Sequence, residues 1–113
     1  LYDSDASLGA GTTAYTTSEE ITNTSGTAYT AKGKALTSVT PTLDSSTAVC
    51  DFADVSWTSA SFTARGCLIF NDSHSTDASV CAIDFGGDKT ATSGTFTIQF
   101  PAASATAAII RIA

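Results

Sequence analysis

The sequence predicts an all-β fold, and three observations carry that expectation. Residues 51–113 hold one short alternating apolar/polar run after another; Gly, Asp, Asn and Ser separate these runs; and no segment carries a sustained helical apolar stripe. Residues 94–100 are the clearest run. Phe96, Ile98 and Phe100 fall on one side, with Thr95, Thr97 and Gln99 on the other, as in a strand with one buried face. At 113 residues the chain supports one core but not two. The expectation is a single-domain antiparallel β-sandwich or Greek-key barrel, residues 25–113, preceded by an irregular N-terminal arm, residues 1–24.

Along the chain, residues 1–24 are the least periodic part. Gly9 and Gly11 mark a link, Tyr15 is the one large anchor of a polar stretch, and residues 18–21 suit a single helical turn. Short strands are expected at 27–30 and 35–41, with a turn at Asp44, Ser45 and Ser46. Residues 47–57 read as one strand that changes phase midway. Ala48, Cys50 and Phe52 share a face, whereas Val55 and Trp57 follow the other register, so a bulge is expected near Ala53 and Asp54. In residues 61–70, Phe62, Ala64, Leu68 and Phe70 lie on one face and Cys67 and Ile69 on the other, a strand covered on both sides. A polar loop at 71–78 leads to a strand at 79–85. A tight turn at Gly86, Gly87 and Asp88 then leads to strands at 94–100 and 107–112.

Composition narrows the function classes. Hydrophobic residues make up 42% and charged ones 14%, so the net charge of -6 does not signal a disordered acidic tail. Five scattered Lys and Arg make a poor grip on nucleic acid. Lys32 and Lys34, the nearest thing to a basic cluster, suit a strand edge that discourages pairing. No apolar run approaches the roughly 18 residues of a membrane helix, and no leader pattern is visible. With no Met in the chain, residues before Leu1 are expected to have been removed or to lie outside the sequence. Three cysteines, Cys50, Cys67 and Cys81, each sit inside an apolar strand pattern and read as small buried hydrophobes. A disulfide pair or a metal site is a poorer fit to an odd count with no CxxC.

Four constellations could carry chemistry. Asp72, His74 and Asp77 share one loop and offer carboxylate and imidazole ligands, though a solvated loop is the simpler reading. Asp51 and Asp54 could form an acid–base pair, but turn hydrogen bonds or pairing with Arg65 fit better. Ser73, His74 and a nearby Asp have a triad's composition without its geometry, since loop neighbours cannot converge and no nucleophile elbow exists. Finally, Tyr2, Tyr15, Tyr29 and Trp57 could line a sugar-stacking or protein-binding face, against the plainer reading of core and edge packing.

A resemblance runs through most of the chain. It begins with Leu1-Tyr2, Thr13-Ala-Tyr-Thr-Thr-Ser-Glu19 and Gly26-Thr-Ala-Tyr-Thr-Ala-Lys-Gly-Lys-Ala-Leu36. It continues through Val49-Cys-Asp-Phe-Ala-Asp-Val-Ser-Trp57, Phe62-Thr-Ala-Arg-Gly66 and Leu68-Ile-Phe-Asn71. It closes on Ile83-Asp-Phe-Gly-Gly-Asp-Lys89, Ser93-Gly-Thr-Phe-Thr-Ile-Gln-Phe-Pro-Ala102 and Ile109-Ile-Arg-Ile-Ala113. In this order the strings resemble a family of small tailed-phage virion structural proteins. The resemblance implies a few more residues before Leu1 and small or aromatic residues at the three cysteine positions. It supplies no catalytic residue.

The resulting expectation is a non-enzymatic virion protein, a capsid decoration (cement) protein on the capsid exterior, assembled in the host bacterial cytoplasm. Its expected partners are the major capsid protein and its own copies in a homotrimer, with no nucleic acid, membrane, cofactor or metal. The contact residues would be the sparse apolar anchors of the arm: Leu1, Tyr2, Leu8, Tyr15 and Ile21. A tail, collar or fibre component, or a carbohydrate-binding adhesive domain, is the alternative.

Overall fold

The computed structural model describes residues 1–113 and contains strands without a helix. In chain order the strands are β1 (Ser38–Asp44), β2 (Thr47–Phe52), β3 (Val55–Asn71), β4 (Ala78–Ile98) and β5 (Ile110–Ile112). They form a three-stranded sheet in the order β1-β2-β5 and a two-stranded sheet of β3 and β4. The all-β antiparallel class expected from the alternating runs is the one found, as two open sheets rather than a closed barrel. No helix is long and apolar enough to cross a membrane. The chain divides into two compact units, Leu1–Gly33 with Trp57–Phe96 and Lys34–Ser56 with Thr97–Ala113. Residues 1–24 therefore belong to the first unit rather than forming a body of their own.

The first unit is built on the long hairpin of β3 and β4. Its antiparallel sense follows from cross-strand contacts: the Thr63 and Thr90 hydroxyls meet at 2.7 Å, and the Ser93 amide donates to the Ser61 hydroxyl at 2.9 Å. Trp57, Ala60, Phe62 and Ala64 are buried. The shift in spacing between Trp57 and Ala60 coincides with Ser59 at a φ of 53°, a left-handed residue that re-aims the strand. Around them Tyr29, Trp57, Phe62 and Phe96 form an aromatic group, with Phe62 and Phe96 centroids 4.9 Å apart and Tyr29 5.9 Å from both Trp57 and Phe62. Cys67, Leu68 and Ile69 are buried consecutively, as expected of a strand segment covered on both sides.

Two sequence expectations are corrected here. Gly86, Gly87 and Asp88 do not reverse the chain, because β4 runs through them without interruption. Gly86 does take the positive φ that glycine permits, 73°, but it uses it for a bulge. Between the Arg65–Asp84 and Thr63–Thr90 contacts, two steps on β3 face six on β4. The extra length collects around Gly86, whose amide donates to the Asp84 carboxylate at 2.8 Å. The second correction concerns residues 47–57. The phase change near Ala53 and Asp54 is real, but it marks the chain leaving β2 for β3, in a different sheet, rather than a bulge in one strand.

In the second unit, β1 and β2 form a hairpin closed by Ser45 and Ser46, with Asp44 opposite Thr47 and Ser45 at a φ of 56°. The register shifts between Val39 and Thr42, where Pro41 has no N–H to give the ladder. β5 continues the sheet on the other side of β2, with Ala48 opposite Ile112 and Cys50 opposite Ile110. Val49 is the most buried side chain of this sheet, at 1% exposed. One cross-strand row, Leu43, Ala48 and Ile112, is exposed instead, with Leu43 at 70% and Ile112 at 68%. The Asp54 carboxylate accepts the Phe100 amide at 2.9 Å, and the Phe52 and Phe100 rings lie 6.0 Å apart. The shorter expected strand at 27–30 does not form, and β1 and β5 are displaced from, or shorter than, the strands expected at 35–41 and 107–112. The helical turn expected at 18–21 is also absent, since Glu19 has a φ of 58°, outside the right-handed helical region.

Candidate functional site

The densest polar arrangement lies in the first unit, where residues 1–21 wrap over the hairpin as a strap. Strap residues pair with each other first. Tyr2 bridges Glu20, the Asp3 amide donates to the Glu19 carbonyl at 3.1 Å, and the Ile21 amide donates to the Leu1 carbonyl at 3.0 Å. The strap then pairs with β3. The Tyr2 amide donates to the Gly66 carbonyl at 3.0 Å, and the Tyr2 carbonyl accepts the Arg65 amide at 2.8 Å. On its other side Gly66 faces β4, and there glycine is needed: a Cβ on Gly66 would meet the Ile83 carbonyl oxygen at 2.6 Å.

Glu20 is the hub. Its carboxylate accepts the Tyr15 hydroxyl at 2.6 Å, the Tyr29 hydroxyl at 2.9 Å and the Lys32 amide at 2.7 Å. The Leu1 nitrogen donates to the Tyr29 hydroxyl at 2.7 Å. Burial, reinforced by the hydrogen bonds to Glu20, pushes the Tyr15 and Tyr29 hydroxyls well above the ordinary phenol range. Both phenols stay neutral and donate.

Lys32 ties the same cluster to the loop after β3. Its ammonium lies 2.8 Å from Asp77 and 3.1 Å from Asp72, and sits over the rings of Tyr15 and Phe70 at 5.6 and 5.9 Å. Hydrogen bonds to Asp77 and Asp72 raise its pKa further, so it remains a cation rather than a nucleophile. Of the metal-type set Asp72, His74 and Asp77, the structure thus joins the two carboxylates around an ammonium of the chain itself. His74 turns instead to the Thr76 hydroxyl, 3.0 Å from its Nδ1.

The other sequence candidates resolve as follows. Asp51 accepts the Phe52 amide and Asp54 the Phe100 amide. Arg65 pairs with Asp84 at 2.9 Å rather than with either of them, because Asp84 lies across the hairpin from it. Lys32 and Lys34 are outside any strand, and the Lys34 ammonium donates to the Ser56 carbonyl. Tyr2, Tyr29 and Trp57 are at most 4% exposed, so an exposed aromatic row is not present. Cys50, Cys67 and Cys81 are free thiols, and burial pushes Cys67 up to about 11. Of the five expected contact residues, Leu1, Tyr2 and Ile21 are buried in this fold, while Leu8 and Tyr15 are partly exposed.

Asp3, Asp5 and Glu19, which were not singled out from the sequence, bring three ligand-type oxygens within 4.8 Å of one another. They converge because Tyr2 pairs with Glu20, a contact between aperiodic segments that no alternation could signal. Glu20 was missed for the same reason. The nearest cue was the spacing of Tyr15, Glu20 and Tyr29 within a polar stretch. Compared with known families, curated proteins and solved structures, the chain matches none. What the cluster can do chemically is hold. Neutral phenols, a fixed carboxylate and a paired ammonium fasten the strap to the hairpin.

Proposed function

We propose that the chain is a non-enzymatic structural protein of a tailed-phage virion, a capsid decoration protein seated on the exterior of the major capsid protein and self-associating as a trimer. The observation that carries this reading is the uncharged apolar row of Leu43, Ala48 and Ile112 on the β1-β2-β5 sheet, continued on the same face by exposed Ile110. In a chain of net charge -6, a surface of this kind suits contact with a protein partner better than contact with solvent. The phage-like strings along the sequence point the same way. Repetition on a shell would also let a modest patch bind through many copies at once.

The test is the location of the protein in purified particles. Heads isolated without tails should contain it at a fixed ratio to the major capsid protein, as density on the outer surface of a cryo-EM map. Density confined to tails would replace this reading with a tail, collar or fibre role. A carbohydrate-binding role would need aromatic rings open to a sugar, and Tyr2, Tyr29 and Trp57 are buried. Specific binding on a glycan array would nevertheless reinstate it.

A further inference from the structure

We propose that the N-terminal strap exchanges between copies, so that residues 1–21 of one chain dock on the β3–β4 hairpin of a second chain in the place they occupy here on their own. This inference does not depend on the virion reading. The occupant is named by the structure, because a groove that fits the strap in cis fits the same strap from another copy.

Three features favour exchange. First, the strap is internally paired through Tyr2 with Glu20, Asp3 with Glu19 and Ile21 with Leu1, so it can move as a formed piece. Second, its grip on the hairpin is edge pairing, which is indifferent to chain identity. Tyr2 pairs along the outer edge of β3, the Ser79 amide donates to the Thr13 carbonyl at 3.0 Å, and the Tyr15 amide donates to the Asp77 carbonyl at 2.9 Å. Third, the connection back to the hairpin is exposed and bent. Residues 22–26 are all exposed, and Gly26 and Ala28 adopt φ values of 92° and 60°. Glycine takes this conformation freely, but Ala28 carries a Cβ into it, and opening the connection releases that strain. Exchange preserves the buried places of Leu1, Tyr2 and Ile21 while making them contacts between subunits.

A disulfide reads out which chain supplies the strap. Ala14 and Ala78 face each other across an antiparallel bridge, a geometry within reach of a cross-strand disulfide. Ala14→Cys and Ala78→Cys are introduced together with Cys50→Ala and Cys81→Ala, leaving the buried Cys67. The protein is refolded over a range of concentrations, then oxidised and run on a non-reducing gel beside the same background without the new pair. Exchange gives covalent dimers and larger species whose fraction rises severalfold with concentration. Intramolecular closure alone at every concentration would overturn the proposal. Ala28→Gly, which relaxes the bend without touching the interface, should lower the covalent oligomer fraction; an unchanged or higher fraction would overturn the hinge as its source.

Discussion

One carboxylate in this molecule serves three donors, and only one of them is a backbone group. Replacing Glu20 by Ala strands the hydroxyls of Tyr15 and Tyr29 and the amide of Lys32. Unsatisfied donors and lost charge-assisted bonds together should cost about 3 kcal/mol of stability, read as a lower urea midpoint at unchanged slope. Glu20→Gln keeps an acceptor oxygen and should lose less. The phenols make a second, pH-dependent prediction. Burial and the Glu20 contacts raise the Tyr15 and Tyr29 pKa values, and burial also raises that of Tyr2. An acid whose pKa is raised by folding contributes stability that is complete below its unfolded pKa. That stability is lost as the pH rises above it, here beyond about 10. Tyrosinate absorbance near 295 nm should therefore appear together with loss of near-ultraviolet circular dichroism in an alkaline titration. Phenolate forming near pH 10 in a protein with intact native dichroism would refute the buried cluster.

At the level of strands, the close contact at Gly66 gives a sharp comparison. Gly66→Ala drives a Cβ to 2.6 Å from a backbone oxygen that cannot easily move, and should cost about 1–3 kcal/mol in chemical denaturation. Gly87→Ala, with open space around its Cβ position, should stay within about 0.5 kcal/mol of wild type. The strands themselves were largely legible in the sequence, because alternation reports a face that must be buried wherever a strand pairs. Thus the burial of Phe62, Ala64 and Phe96 follows from the alternating runs that hold them. The misreadings share one physical origin. A phase change and a Gly-Gly pair are local signals with two solutions each, and only the partner strand decides between them. At Ala53 and Asp54 the chain changes sheet, and at Gly86 a longer strand bulges against a shorter one. The clasp around Glu20 was illegible because its members come from aperiodic segments joined by isolated bridges.

For the molecule as a whole, the proposed contact surface can be separated from folding. Leu43→Lys and Ile112→Lys place charge on side chains that are already largely in water, so each should shift stability by no more than about 0.5 kcal/mol. The same variants should bind stripped heads far more weakly than wild type in a co-sedimentation assay. Undiminished binding would move the contact away from the β1-β2-β5 sheet. The strap clasp also gives the molecule an optical property. The chain has a single tryptophan, Trp57, and Tyr29 stacks against it while holding the Leu1 nitrogen and Glu20 through its hydroxyl. Any departure of the strap removes both of these hydroxyl partners and reaches the indole across one ring contact. The unlabelled protein thus carries its own emission gauge of whether the first segment of the chain is seated.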